Sequence, residues 1–511
     1  MSGSDPTKRR AGIVVPLSAL RCRQDNGVGS MGMVGPLLDW MRDAGFTVLQ
    51  LLPFNDLAPL DSSPYSPVSA FALDPLYAAL DDIPELSDPP AAPRRRRSSA
   101  RVSFADARAY KVTHLRSAFR RFMEREYGKG TARAQAFDSF CREQKSWLVD
   151  YALFRILKER GQWNPWQEWE EGYRLRYPEA LDELRRSQER AVMFYQFAQW
   201  VLETQWQDVR QQAARRGILL YGDIPFGLSR QSADVWMRQD QFDFTATMGA
   251  PPDQYSVNGQ AWGLPAYRWD LMERSGHEWW RMRVARARRH FDLFRLDHAV
   301  GFFRTWLVRR GGAENSFDIT AEAEQRARGE RFFKMALQEG HPARPIAEDL
   351  GLIPPFVRAV LDDLGIPGYK ITRWEKNGDV FQNPRTYSAL SVAAHGNHDT
   401  STLAAWWSET SKDEKDAFWR MVTNRQECAP RFSPAVLRTV LENLYHAGSS
   451  LVMLPFQDAF GARERINIPA TVRSRNWTYR IPMAVEDLLD DPKYTECAGM
   501  LRALAEASGR A

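Results

Sequence analysis

Short apolar runs recur along the chain, and most are continuous rather than alternating. They are GIVVPL from Gly12, TVLQLLPF from Thr47, GILLYGDIPFG from Gly217, FDLFRLDHAVGF from Phe291, RPIAEDLG from Arg344, GYKITRW from Gly368, LSVAAHGNHD from Leu390 and SLVMLPFQDAF from Ser450. Runs of this kind suit strands buried on both faces, as in a parallel sheet covered by helices. Between them the apolar positions switch to helical spacing. Leu37, Leu38, Trp40, Met41 and Ala44 make one such stripe, and Gly45 fits its stop. Eight strand candidates separated by helical patterns predict an α/β fold, a (β/α)8 TIM barrel.

The spacing is uneven. The interval between the second and third runs is long and helical. Leu115, Phe119 and Phe122, then Trp147, Tyr151 and Phe154, recur within Phe104 to Arg160, and Trp163 to Trp206 is rich in Trp and Gln. This predicts large α-helical insertions carried by the barrel. The expected division is residues 1–80 for the first barrel strands and helices, 81–215 for the mostly helical insertion, and 216–511 for the rest of the catalytic barrel. A long active-site loop is expected over 226–280. What remains after the eighth run is too short for an appended C-terminal β-sandwich of about 100 residues.

Composition narrows the class. A net charge of +5 on 511 residues is too mild to imply a nucleic-acid partner. Part of the basic excess is the run Arg94 to Arg97 behind a Pro-rich lead, which reads as an exposed loop. The four cysteines, Cys22, Cys141, Cys428 and Cys497, are scattered without a CxxC pair, which suits reduced thiols. No run approaches transmembrane length, and Ile13 to Leu20 holds a proline and reads as a strand rather than a signal peptide. A soluble, cytoplasmic protein is expected, with neither nucleic acid nor membrane as partner.

Three acidic clusters stand at strand ends, where a barrel places its active site. FRLDH sets Arg295, Asp297 and His298 after the fourth run, IAEDLG sets Glu348 and Asp349 after the fifth, and GNHDT sets Asn397, His398 and Asp399 after the seventh. Glycosidic-bond cleavage calls for two carboxyl groups, one as nucleophile and one as acid. Arg295, two residues before Asp297, shares its strand face and favours that carboxylate's charged form. Glu348 at an apolar strand end is pushed toward the raised pKa of an acid. Its neighbour Asp349 must point the other way, into the barrel wall. His395 and His398 form HxxH, but on a strand that spacing puts the rings on opposite faces, so no shared metal is expected. No P-loop or EF-hand pattern occurs, and no cofactor is expected. Most of the 18 Trp read as core; Trp262, in a Gly-rich loop, is the best candidate to stack on a sugar.

These residues carry a resemblance. SPYSPVSAFALDPL from Ser63, WLVDYALF from Trp147, GDIPFGLSRQSADVW from Gly222, APPDQYSVNGQAWGLPAYRW from Ala250, FRLDHAVGF, IAEDLG, GIPGYK from Gly365, GNHDT, LPFQDAFG from Leu454 and NWTYR from Asn476 run in order along nearly the whole chain. The sequence resembles the amylomaltases, or 4-α-glucanotransferases, of glycoside hydrolase family 77 in the α-amylase clan. The resemblance implies Asp297 as nucleophile, Glu348 as acid/base and Asp399 as transition-state stabiliser. It implies that Arg295, His298 and His398 hold sugar hydroxyls, that Asp253 shapes the acceptor side and Tyr65 the donor side, with Tyr255, Trp262 and Asn397 in the same sugar-binding set. The implied partners are α-1,4-glucans as donors and glucose or another glucan as acceptor. The chain departs from the family where Tyr255 stands at a usual Phe, where GNHDT replaces GTHDN, and at Ile468 to Thr471; none of these changes removes a carboxylate. Two other readings remain open at this point: a hydrolase that uses the same carboxylates with water as acceptor, and a glucan-binding protein without turnover.

Overall fold

The computed structural model describes residues 8–23, 26–86, 100–252, 259–309, 314–469, 471 and 473–511. Each of the eight apolar runs overlaps a strand: β1 (Arg10–Val15), β2 (Val48–Leu51), β3 (Leu219–Ile224), β4 (Leu293–Leu296), β5 (Arg344–Ala347), β6 (Gly368–Ile371), β7 (Ser391–Ala394) and β8 (Leu451–Pro455). They pair in parallel in the spatial order β6-β7-β8-β1-β2-β3-β4-β5. The β5–β6 seam closes the ring by two bonds. The Ala347 N–H donates to the Pro367 carbonyl at 2.9 Å, and the Tyr369 N–H donates to the Asp349 carboxylate at 2.6 Å. The expected (β/α)8 barrel is therefore the observed architecture.

Every residue of β2, β4, β7 and β8 is buried, which accounts for their unbroken apolar runs. The polar exceptions face one another inside the ring. Tyr221 and Tyr369 share a hydroxyl hydrogen bond of 2.7 Å, and the Gln50 amide donates to Tyr369 at 3.4 Å. One register step further toward the strand C-termini, Asp223 lies opposite Arg295. The first helix spans Val34–Asp43 with Leu37, Leu38, Trp40 and Met41 buried. Gly45 follows at φ +75°, a conformation that only glycine adopts without strain.

Between β2 and β3 run helices Phe104–Arg125, Ala132–Glu143, Leu148–Arg160, Glu171–Arg174, Pro178–Ser187 and Glu189–Arg215. The last is pinned to the loop after β2. The Gln199 amide bonds both the N–H and the carbonyl of Leu73, each at 2.8 Å, and Gln205 does the same at Ala79, at 3.0 and 2.8 Å. Residues 163–170, read as helical from the sequence, are not α-helical. Asn164 precedes Pro165, which disfavours helical backbone, and Gln162 and Trp163 adopt positive φ. Arg94 to Arg97 lie outside the described residues.

The expectation of a loop over 226–280 needs a larger correction. Phe242–Ala250 and Gln260–Tyr267 are antiparallel strands, joined by Trp306–Arg309 and Ser316–Phe317 into a four-stranded sheet. Helix Trp269–Arg274 follows, and Glu278–His290 returns to β4. The reason lies in FDFTATM, whose alternation is that of a strand with one face covered. After β8 the chain ends in helix Pro492–Ala507. Among the described residues no helix is long and apolar enough to cross a membrane.

Candidate active site

The ends of β3, β4 and β5 converge on one guanidinium. Arg295 is buried and uses both terminal nitrogens. Nη1 is bidentate to Asp223, 2.9 Å from each carboxylate oxygen. Nη2 lies 2.8 Å from Asp297 Oδ1 and 3.7 Å from Glu348 Oε2. Such charge-assisted pairs fix geometry as well as charge. Asp297 is further oriented by the Phe226 N–H, which donates to Oδ2 at 3.2 Å.

Glu348 is oriented by backbone. The His298 N–H donates to Oε2 at 2.8 Å and the Leu350 N–H to Oε1 at 3.1 Å. His298 takes a left-handed conformation (φ 48°), part of the turn that aims its N–H at the carboxylate. Burial, reinforced by the charge of Asp297 and opposed by Arg295, pushes the Glu348 pKa up to about 8. Asp349 faces the wall instead, bonded to the Tyr369 N–H and at 3.0 Å to Arg358 Nε.

Asp399 has the opposite electrostatics. Burial works to raise its pKa, but His398, Asn467 and Arg295 outweigh that and hold it down at about 2. The Asn467 amide donates to Oδ1 at 2.6 Å, His398 Nε2 lies 3.2 Å from Oδ2, and Arg465 donates to the Asp399 carbonyl at 2.8 Å. Tyr65 ties this group to the Arg295 cluster. Its hydroxyl donates to Asp223 Oδ2 at 2.7 Å and lies 3.0 Å from His398 Nε2, and its ring stacks on the His398 ring at 5.3 Å.

Of the residues singled out in the sequence, the structure brings together Asp297, Glu348, Asp399, Tyr65, Arg295, His298 and His398, with Trp262 at the edge. The Trp262 ring meets His298 edge-on at 4.8 Å, and its indole N–H donates to the Gln260 amide oxygen. Burial lowers the His298 pKa to about 4, so this imidazole is neutral near pH 7. Asn397 caps a turn: its side-chain oxygen accepts the Asp399 N–H at 3.0 Å. His395 and His398 have separate partners. His395 lies 2.6 Å from the Thr372 hydroxyl and 3.3 Å from the Val440 carbonyl, away from Tyr65. Asp253 and Tyr255 fall outside the described residues. Sequence reasoning missed Asp223, Asn467 and the Phe226 N–H. Asp223 carried a signal, an acid near the end of the third apolar run, in GDIPFG; the other two carried none.

The chain matches known proteins along most of its length. The profile described as 4-alpha-glucanotransferase matches residues 15–485. The chain is 30% identical to the 4-alpha-glucanotransferase of Chlamydia pneumoniae over 96% of its own length and 94% of the relative's. It is 32% identical to that of Thermus thermophilus over 95% and 96%. The solved amylomaltase of Streptococcus agalactiae in complex with acarbose superposes with a TM-score of 0.84 at 25% identity, covering 98% of this chain and 100% of that one. A barrel with three carboxylates gathered at its strand ends, matched from end to end in this way, identifies the chain as a member of the 4-alpha-glucanotransferase family.

Proposed function

We propose that this 4-alpha-glucanotransferase transfers segments of α-1,4-glucan to the 4-hydroxyl of glucose or another glucan by retaining double displacement, with Asp297 as nucleophile, Glu348 as acid/base and Asp399 as stabiliser. In the first step an Asp297 oxygen attacks the anomeric carbon. The bond to the leaving glucan's O4 breaks, and the Glu348 proton passes to that oxygen. In the second step the acceptor 4-hydroxyl attacks the same carbon, its proton passes to Glu348, and Asp297 is released. The ionised Asp399 faces the positive charge that develops on the sugar ring between these states.

The observation that carries this reading is the shared contact of Arg295 Nη2. One nitrogen lies 2.8 Å from Asp297 and 3.7 Å from Glu348. The two facing oxygens can be no farther apart than those distances laid end to end. That bound admits the roughly 5–5.5 Å spacing at which the second carboxylate acts directly as nucleophile. The split between Glu348, raised to about 8, and Asp399, lowered to about 2, supports the same roles.

The hydrolase alternative differs in acceptor. Pure maltotriose should yield longer oligomers together with glucose; glucose and maltose alone would favour hydrolysis. The catalytic roles are tested by Glu348→Gln. It should lower kcat by about 10²–10⁴-fold while leaving acarbose or maltooligosaccharide binding within a few-fold. Undiminished turnover would remove Glu348 from the mechanism, and binding without turnover in the unaltered protein would favour a glucan-binding role.

A further inference from the structure

β6, β7 and β8 are neighbours, and the loop leaving β7 carries Asp399 between groups supplied by the other two. From the β6 end comes Arg373, which is 4% exposed. Its Nε donates to the His395 carbonyl, and its Nη2 donates to the Thr400 hydroxyl at 3.0 Å and to the Ser401 carbonyl at 2.9 Å. From the β8 end comes Asp458, which is 1% exposed. It accepts the N–H of Leu403, the first residue of helix Leu403–Glu409, at 2.7 Å. Arg373 thus holds the loop on both sides of Asp399, and Asp458 holds the start of the helix that follows.

The Thr400 hydroxyl is the junction of this grip. Besides accepting from Arg373, it accepts the Asn397 N–H at 3.0 Å and donates to the Asn397 carbonyl at 3.1 Å. The Asn397 side chain in turn accepts the Asp399 N–H. The turn is therefore closed on itself around the carboxylate-bearing residue. Gly396 makes room for it: a Cβ there would collide with both the Thr400 hydroxyl and Arg373 Nη2. These contacts fix the backbone of Asp399 from below, while Asn467 and His398 fix its oxygens from the side.

We infer that Arg373 and Thr400 are positioning residues for Asp399, with the Thr400 hydroxyl as the junction through which Arg373 acts. The inference rests on the reading of Asp399 as a catalytic carboxylate. A group needed only at the transition state loses its effect when displaced, and a misplacement of about 1 Å can cost about 10²-fold in rate. The loss therefore falls on kcat rather than KM.

The test compares Thr400→Val, which keeps the shape and removes the hydroxyl, with Thr400→Ser, which keeps the hydroxyl, and with Asp399→Asn as reference. Maltotriose disproportionation gives kcat and KM, and thermal unfolding gives Tm. Thr400→Val should lose about 10²-fold in kcat with KM within about threefold, and Thr400→Ser should recover to within about threefold of the unaltered protein, with similar Tm for both. Arg373→Lys, which keeps the charge and loses the fork, should lower kcat in the same direction. Full kcat in Thr400→Val while Asp399→Asn is inactive overturns the positioning inference alone. Equal losses of kcat and Tm in Thr400→Val and Thr400→Ser overturn it too, because a merely structural role would then suffice. Full activity in Asp399→Asn would instead remove the catalytic reading beneath it.

Discussion

At the scale of single residues, the chemistry turns on unequal treatment of similar groups. Glu348 and Asp349 are neighbours in sequence, yet one faces Arg295 at the mouth and the other faces Tyr369 and Arg358 in the wall. The proposed first step needs Glu348 protonated, so kcat/KM for the donor should fall as pH rises through about 8. The same shift has a stability consequence. Its folded pKa lies above the unfolded value of about 4.3, so its contribution to stability is complete below that value and is lost as pH rises through about 8. Glu348→Gln cannot ionise and should therefore melt at a higher temperature than the unaltered protein at pH 9, with the difference shrinking toward pH 5. Asp349→Asn should do the reverse in kind: kcat within about twofold, and stability lower by about 1–3 kcal/mol in denaturant unfolding as the Arg358 pair is lost.

Much of this was legible in the sequence, because strand periodicity decides facing. The two-residue step from Arg295 to Asp297 foretold their contact, and the one-residue step from Glu348 to Asp349 foretold their divergence. Asp223 was not assigned because its partner is cross-strand: only the register of β3 on β4 sets it opposite Arg295. Asn467 reaches Asp399 from the irregular segment after β8, where no periodicity guides a reader. The departures at 397 and 400 are bonded to each other through the Thr400 hydroxyl.

At the scale of elements, continuous apolar runs gave the barrel strands because both faces of each strand are covered. The alternation in FDFTATM was available too, but the Pro- and Gly-rich segment beside it read as loop. The hairpin matters because it sets Trp262 against His298, whose N–H holds Glu348. Packing between elements is tight enough to make a prediction at β3. A Cβ at Gly222 would fall against the Phe291 ring, well inside van der Waals contact distance of three of its carbons. Gly222→Ala should destabilise by about 1–3 kcal/mol. Because Gly222 precedes Asp223, it should also lower kcat. Denaturant unfolding and maltotriose kinetics on the same preparation check both.

At the scale of the whole molecule, the two ends of the barrel are built differently. At the strand N-termini, buried Arg510 donates to the carbonyls of Tyr445, Ala447, Ser449, Ser450 and Arg10, tying the C-terminal segment to β1 and to the approach to β8. This was invisible in the sequence, since it joins positions at opposite ends of the chain. At the strand C-termini, charges that would be costly if buried alone are satisfied by one another around Arg295, leaving carboxylates poised for the sugar. The most direct test of the account is to trap the intermediate it requires. An α-maltosyl fluoride donor needs no acid to expel its leaving group, so Glu348→Gln should still form the glycosyl-enzyme, and slow acceptor attack should let it accumulate. Intact mass measurement should show one added maltosyl unit, and peptide mapping should locate it on Asp297. Consumption of the fluoride with no adduct, or an adduct on any other residue, would contradict the mechanism.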